Sequence, residues 1–126
     1  MDDHFHQLGR PKVRVTVRLG DEIVARSEQA LLLKEFARGK ILDPVYYFPQ
    51  KDVAVDKLRP TETQTYCAIK GDASYWTYTG DAGAEEDLVW GYVEPIEYSK
   101  HIAGRMAFDA RRVSFEVEPS GAPELE

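Results

Sequence analysis

Val13-Arg14-Val15-Thr16-Val17-Arg18 alternates a branched apolar residue with a polar one. Successive side chains on a strand point to opposite faces, so this period of two predicts a strand with one buried face. Gly20-Asp21 supplies a turn, and residues 22–27 read as the returning strand of a hairpin. Ala30-Leu31-Leu32-Leu33-Lys34-Glu35-Phe36 fits a buried strand or a short helix. Strand is favoured because neighbouring segments tend to pair in sequence order. Val45-Tyr46-Tyr47-Phe48 predicts another strand, closed by Pro49, which has no N–H for a ladder.

The same reading extends along the chain. Residues 39–44 form a loop, Lys51-Asp52-Val53 a turn with a short extended piece, and residues 59–62 a connection. Residues 65–67 are extended, Lys70-Gly71-Asp72 is a turn, and residues 74–79 are a strand. Residues 80–87 read as a solvated, acid-rich hairpin tip, and residues 88–93 as a strand stopped by Pro95. Residues 98–103 suit one helical turn, residues 102–108 an extended apolar segment, and residues 112–118 a last alternating strand. About eight or nine short antiparallel strands at roughly 8–12-residue spacing predict an all-β sandwich or closed sheet. The expected layout is one β-domain over residues 12–118, between a flexible lead-in (1–11) and a flexible tail (119–126).

Composition narrows the function. At 126 residues the chain is sized for one domain and can bury a core without disulfides or metal. A net charge of −6 argues against a broad nucleic-acid surface, which needs a basic excess. No run is long and apolar enough for a membrane helix, and residues 1–6 lack the basic and apolar regions of a signal peptide. One cysteine permits no internal disulfide, which suits a cytoplasmic location.

The reactive side-chain types crowd into Thr65-Tyr66-Cys67-Ala68-Ile69-Lys70-Gly71-Asp72-Ala73-Ser74-Tyr75-Trp76. Cys67 is a nucleophile if a cation lowers its pKa, or a small buried hydrophobe. No histidine stands at a motif spacing to complete a cysteine–histidine pair; only the fold can deliver His101. Lys70 is either a solvated turn residue or a point charge for a carboxylate or phosphate, with Gly71 allowing close approach to the backbone. On strands Tyr46 and Phe48 share a side with Tyr47 opposite, Tyr75 opposes Trp76, and Trp90 shares a side with Tyr92. Most of these aromatics are expected to pack the core, with Tyr47 and Tyr75 assigned to a pocket. Glu35, at the end of an apolar run, and Asp52 both read first as plain surface charges; drawn into a closed pocket beside Lys70, Glu35 is instead a candidate general base or amine ligand. Asp52 is a second carboxylate to watch, and Arg105, in an apolar segment, is a candidate anion ligand. His4, His6 and His101 make no evident metal set, and no cofactor motif appears, so neither metal nor cofactor is expected.

Tyr46-Tyr47-Phe48-Pro49, Asp52-Val53, Cys67-x-x-Lys70-Gly71 with Tyr75, Trp90-Gly91-Tyr92, Pro95 and residues 102–108 occur in order, and with them the chain resembles the bacterial domain of unknown function 427 family over about residues 12–118. The resemblance implies a single β-domain like the β-tent architecture, a fold shared with zinc-binding type-B methionine sulfoxide reductases and glutathione-dependent formaldehyde-activating enzymes. Their Cys-x-x-Cys pairs are missing here, so the resemblance implies a fold without that zinc site, held by packing. A nucleotidyltransferase label attached to the family finds little support, because no Gly-Ser element with paired aspartates is present. The leading expectation is a cleft binding or converting a small anionic molecule, with Cys67, Lys70, Tyr75 and Glu35 as catalytic candidates. Tyr47, Gly71, Asp52, Trp90 and Arg105 are its ligand-binding candidates. The alternative is a non-catalytic module that binds a protein partner or forms a homodimer through strand edges and unpaired aromatics.

Overall fold

A computed structural model describes residues 3–121, and there the chain is mainly β, a single compact domain. In chain order the strands are β1 (Phe5–Gly9), β2 (Val13–Leu19), β3 (Glu22–Ser27), β4 (Leu31–Ala37), β5 (Lys40–Ile41), β6 (Val45–Tyr47), β7 (Leu58–Cys67), β8 (Gly71–Gly80), β9 (Gly83–Gly91), β10 (Met106–Phe108) and β11 (Ser114–Pro119). Short 3-10 turns occupy Gln50–Asp52, Val55–Lys57 and Glu97–Ile102. The strands form three antiparallel sheets, and among the described residues none closes into a barrel. One sheet runs β11-β2-β3, a second β10-β9-β8-β7, and in the third β4 pairs with β1, β5 and β6. An antiparallel bridge between Phe48 and Met106 ties the third sheet to the second. No helix among the described residues is long and apolar enough to cross a membrane.

Two apolar cores result, one on each face of the β7–β10 sheet. The first holds Val15, Val17, Val24, Phe48, Tyr78, Leu88, Val89, Met106 and Phe108. The second holds Leu31, Leu33, Tyr47, Ala73, Tyr92, Ile102 and Ala107. Strand alternation divides the aromatics between them. Tyr46 and Phe48 belong to the first core and Tyr47 to the second; Trp76 packs on the first and Tyr75 on the second; Trp90 and Tyr92 share the second. Each of these assignments follows the period of two read from the sequence.

Other expectations are corrected. The segment read as a lead-in contains β1, because Phe5 stacks on Phe36 with centroids 4.8 Å apart and His6 is buried against the body of the domain. β2 is covered on both faces rather than one. Thr16 and Arg14 lie under their cross-strand neighbours: Arg26 Nε donates to Thr16 Oγ1 at 3.1 Å, and Arg14 pairs with Glu118. Long charged side chains can cover a sheet face in this way. The connection expected at residues 59–62 belongs to β7. Pro60 is tolerated there because β7 is an edge strand, and the ladder shifts register between Pro60 and Gln64. The hairpin tip is only Asp81-Ala82. Asp87 sits within β9, where Thr61 Oγ1 and Thr63 Oγ1 donate to its carboxylate at 2.7 and 2.6 Å. β5 lies inside the expected loop of residues 39–44, and β10 takes only the end of residues 102–108. Of the tail expected over residues 119–126, Pro119 ends β11 and residues 122–126 lie outside the described residues.

Gly91 shows how closely the elements approach. A Cβ there would collide with the carbonyl oxygen of Arg105. The obstacle is backbone, so the neighbour cannot rotate away as a side chain would. Gly91→Ala is expected to destabilise the domain by about 1–3 kcal/mol. Gly9→Ala, whose added Cβ meets nothing closer than 3.9 Å, should change stability by less than about 0.5 kcal/mol. Urea unfolding midpoints of the two variants check the contrast.

Candidate functional site

The site begins at the turn between β7 and β8. Lys70 N donates to Cys67 O at 3.1 Å, and Ile96 N donates to Lys70 O at 3.0 Å. Gly71 follows with φ 109°, and a Cβ there would stand 3.3 Å from Ile96 N, so the residue type is set by both conformation and contact. The turn delivers Lys70 to the second core. Only 8 % of the residue is exposed, and Nζ lies 5.7 Å from the Tyr92 ring centroid.

β4 brings the counter-charge. Lys70 Nζ donates to Glu35 Oε1 at 2.7 Å, while Glu35 Oε2 meets His4 Nε2 at 2.6 Å. One carboxylate thus bridges an ammonium and an imidazole. His4 arrives through the β1–β4 register, in which His6 faces Glu35 directly. Cys67 completes the group: a ring nitrogen of His4, a carboxylate oxygen of Glu35 and Cys67 Sγ all lie within 4.8 Å of one another.

His6 anchors the wall beside this group. Ser99 Oγ donates to Ile69 O at 2.6 Å and lies 2.6 Å from His6 Nε2. With the serine proton on the Ile69 carbonyl, His6 Nε2 carries the hydrogen and donates to Ser99. Tyr98 packs its ring on the His6 ring at 4.6 Å.

The electrostatics follow from burial and charge. Burial opposes the charge on Lys70, but Tyr47, Glu35 and Cys67 outweigh it and lift the pKa above the ordinary lysine value. Burial also opposes the charge on Glu35, yet the hydrogen bonds from Lys70 and His4 hold its pKa below the ordinary value. The pair is therefore ionised at neutral pH. Burial raises the Tyr47 phenol, with Lys70 and Trp90 opposing. Burial, then Tyr47, Cys67, Tyr75 and Glu35, raises the Tyr92 phenol. Burial and the Lys70 charge lower His6.

The residues singled out by sequence divide into two groups. Glu35, Tyr47, Cys67, Lys70, Gly71, Tyr75 and Trp90 gather on the second-core side. Tyr75 there shares a 2.9 Å hydrogen bond with Thr65 Oγ1. Asp52 and Arg105 lie elsewhere. Asp52 accepts from Ser27 Oγ at 2.6 Å. Arg105 Nη1 donates to the carbonyls of Gln29 and Tyr47, and the residue lines a separate cavity of about 430 Å³ with Arg10, Lys12 and Glu28. Sequence reasoning did not place His4 or His6 in the group, and it looked to His101 for a thiol partner. His101 is exposed and lines a cavity with Leu8, Arg10 and Leu31. The only signal for His4 and His6 was their alternation, which places both on one side of an extended segment.

The family model described as a domain of unknown function (DUF427) matches residues 7–119. No curated protein matches the chain.

Two outcomes are expected. Glu35→Gln leaves the Lys70 charge buried without its counter-ion and should cost about 3 kcal/mol or more. Glu35→Gln combined with Lys70→Met should cost less than the sum of the single changes by at least about 1 kcal/mol. A double-mutant cycle in urea measures both. The second outcome concerns pH. The lowered His6 pKa means that the unfolded chain binds this proton first, so stability should fall as pH drops below the ordinary histidine value of 6.5. His6→Gln should flatten this dependence in melts recorded between pH 8 and pH 5.

Proposed function

This chain belongs to the DUF427 family, and on that premise we propose that it is a small-molecule binding domain, with Lys70 holding an anionic group of the ligand. The observation that carries the reading is the state of the Lys70 ammonium. It has three N–H donors, and among the described residues only Glu35 Oε1 accepts one of them. The other two are free to meet ligand oxygens, in surroundings of low exposure where a charge–charge contact is worth more than in water. If stability alone were served, an apolar pair of similar volume would do as well as the Lys70–Glu35 pair. Buried ion pairs with shifted pKa values are candidate functional sites. Tyr47 and Tyr92 supply phenols within the second core, and Tyr75 supplies one joined to exposed Thr65. Cys67 Sγ lies within 4.8 Å of a Glu35 carboxylate oxygen, beside the same pair. Glu35 keeps Lys70 charged and oriented while leaving it two donors.

A thermal-shift panel of carboxylates, phosphate esters and a nucleoside triphosphate with magnesium tests the reading. At least one compound should raise the melting temperature of the wild type in a concentration-dependent way. Saturation at a hundred times Kd corresponds to about 2.7 kcal/mol. The same compound should give no shift with Lys70→Met, measured against that variant's own baseline. Equal shifts in both proteins, or no shift with any anion, would sink the proposal.

A further inference from the structure

We propose that His4, Glu35 and Cys67 form a binding site for a divalent transition metal of the zinc type. The three donors come from separate parts of the chain: the residue before β1, the middle of β4 and the last residue of β7. Nothing local in the sequence forces them together, yet a ring nitrogen, a carboxylate oxygen and a sulfur lie within 4.8 Å of one another. A tetrahedral ion with bonds of roughly 2.0–2.3 Å holds its donors roughly 3.3–3.8 Å apart. The 2.6 Å His4–Glu35 contact must open and the widest separation must close, each by about 1 Å, to reach that geometry. His4 precedes its strand and keeps 22 % of its side chain exposed, which gives the ring room to adjust.

The chemistry of the set selects the ion. Thiolate and imidazole favour zinc and its neighbours over magnesium or calcium, which take oxygen ligands. Three protein ligands leave a fourth position open, the coordination of a reactive rather than a purely structural zinc. To ligate through Nε2, His4 carries its ring hydrogen on Nδ1, any second ring proton passes to solvent, and Cys67 gives up its thiol proton to solvent. Lys70 already occupies Glu35 Oε1, so it orients the carboxylate from outside the coordination shell and leaves Oε2 to the metal. The two anionic ligands neutralise the ion's double charge. Lys70 then leaves the site with one net positive charge, which suits an anion in the fourth position. The metal site stands apart from the ligand reading above. Metal binding is measured without any organic ligand, and the thermal-shift panel is run on chelator-treated protein, so either can fail alone.

The test uses the whole chain, stripped with chelator and titrated with zinc by calorimetry and with cobalt by absorption. One ion per chain should bind, and cobalt should show a thiolate-to-metal charge-transfer band. Cys67→Ser should abolish the band, and His4→Ala and Glu35→Gln should each weaken binding by at least about tenfold. His101→Ala, which alters an exposed histidine outside the set, should bind like the wild type. No binding at millimolar metal overturns the proposal, as does unchanged affinity in both Cys67→Ser and His4→Ala. Melting curves in chelator establish that each variant is folded. If Cys67→Ser is not, Cys67→Ala and His4→Ala decide the matter by the same readouts.

Discussion

The inner part of the β7–β10 sheet, on β8, β9 and β10, must bury both of its faces, and most of the domain is arranged around that constraint. A sheet covered on one side can alternate apolar with polar residues; one covered on both must offer packing surface in both directions. Here the strands do so with neighbours of different size. Tyr75 and Trp76 reach opposite ways, and Ala73 and Gly91 stay small where other elements press close. The β11-β2-β3 sheet closes the first core and β4 with its partners closes the second. The Phe48–Met106 bridge keeps the two coverings in step, since Phe48 lies in one core and its neighbour Tyr47 in the other.

The candidate site occupies a border of the second core, where apolar packing gives way to charge. The turn at Lys70 is held by backbone bonds on both sides, to Cys67 and to Ile96. The ammonium's position is thus set by main chain before any side-chain pairing is counted. Glu35, on β4, is equally constrained. Two rigid elements carry opposite charges to one point; His4, just before β1, and the His6–Ser99 contact from β1 stand beside them. Such placement on strands and tight turns holds a constellation more closely than loops would.

Much of this was legible in the sequence, for physical reasons that also mark the limit. The division of Tyr46, Tyr47 and Phe48, and of Tyr75 and Trp76, follows from strand geometry alone, and the β4 segment read correctly as a strand. Cys67 and Lys70 are close because one turn joins them, and Tyr75 reaches the second core by strand alternation. Glu35 was singled out by its place after an apolar run, and Tyr47 and Trp90 by strand alternation, signals that do not say which sheet packs on each face. β1 was missed because its sequence, Phe-His-Gln-Leu-Gly, carries little apolar alternation. Its strand character comes from pairing with β4 across about thirty positions, which local propensity does not register. His4 was missed for the same reason. Pro60 looked like a break, but β7 is an edge strand with an irregular register and tolerates it; the acidic run before Asp87 lies on β9 before the residues that β10 pairs.

The pairing of β11 with β2 has a consequence for how the protein is made. Residues 114–119 lie against residues 13–18, so β2 is synthesised well before β11, the strand that pairs with it there. Until then β2 has a partner on one side only, β3, and the other side of its ladder is open. Contacts between residues so far apart in the chain form slowly, and an incompletely paired strand is a surface on which nascent chains can associate. Arg14, Arg18, Glu116 and Glu118 place charges along the facing edges of this late seam. The same residues that pair in the finished sheet thereby help keep its unfinished edge soluble during translation.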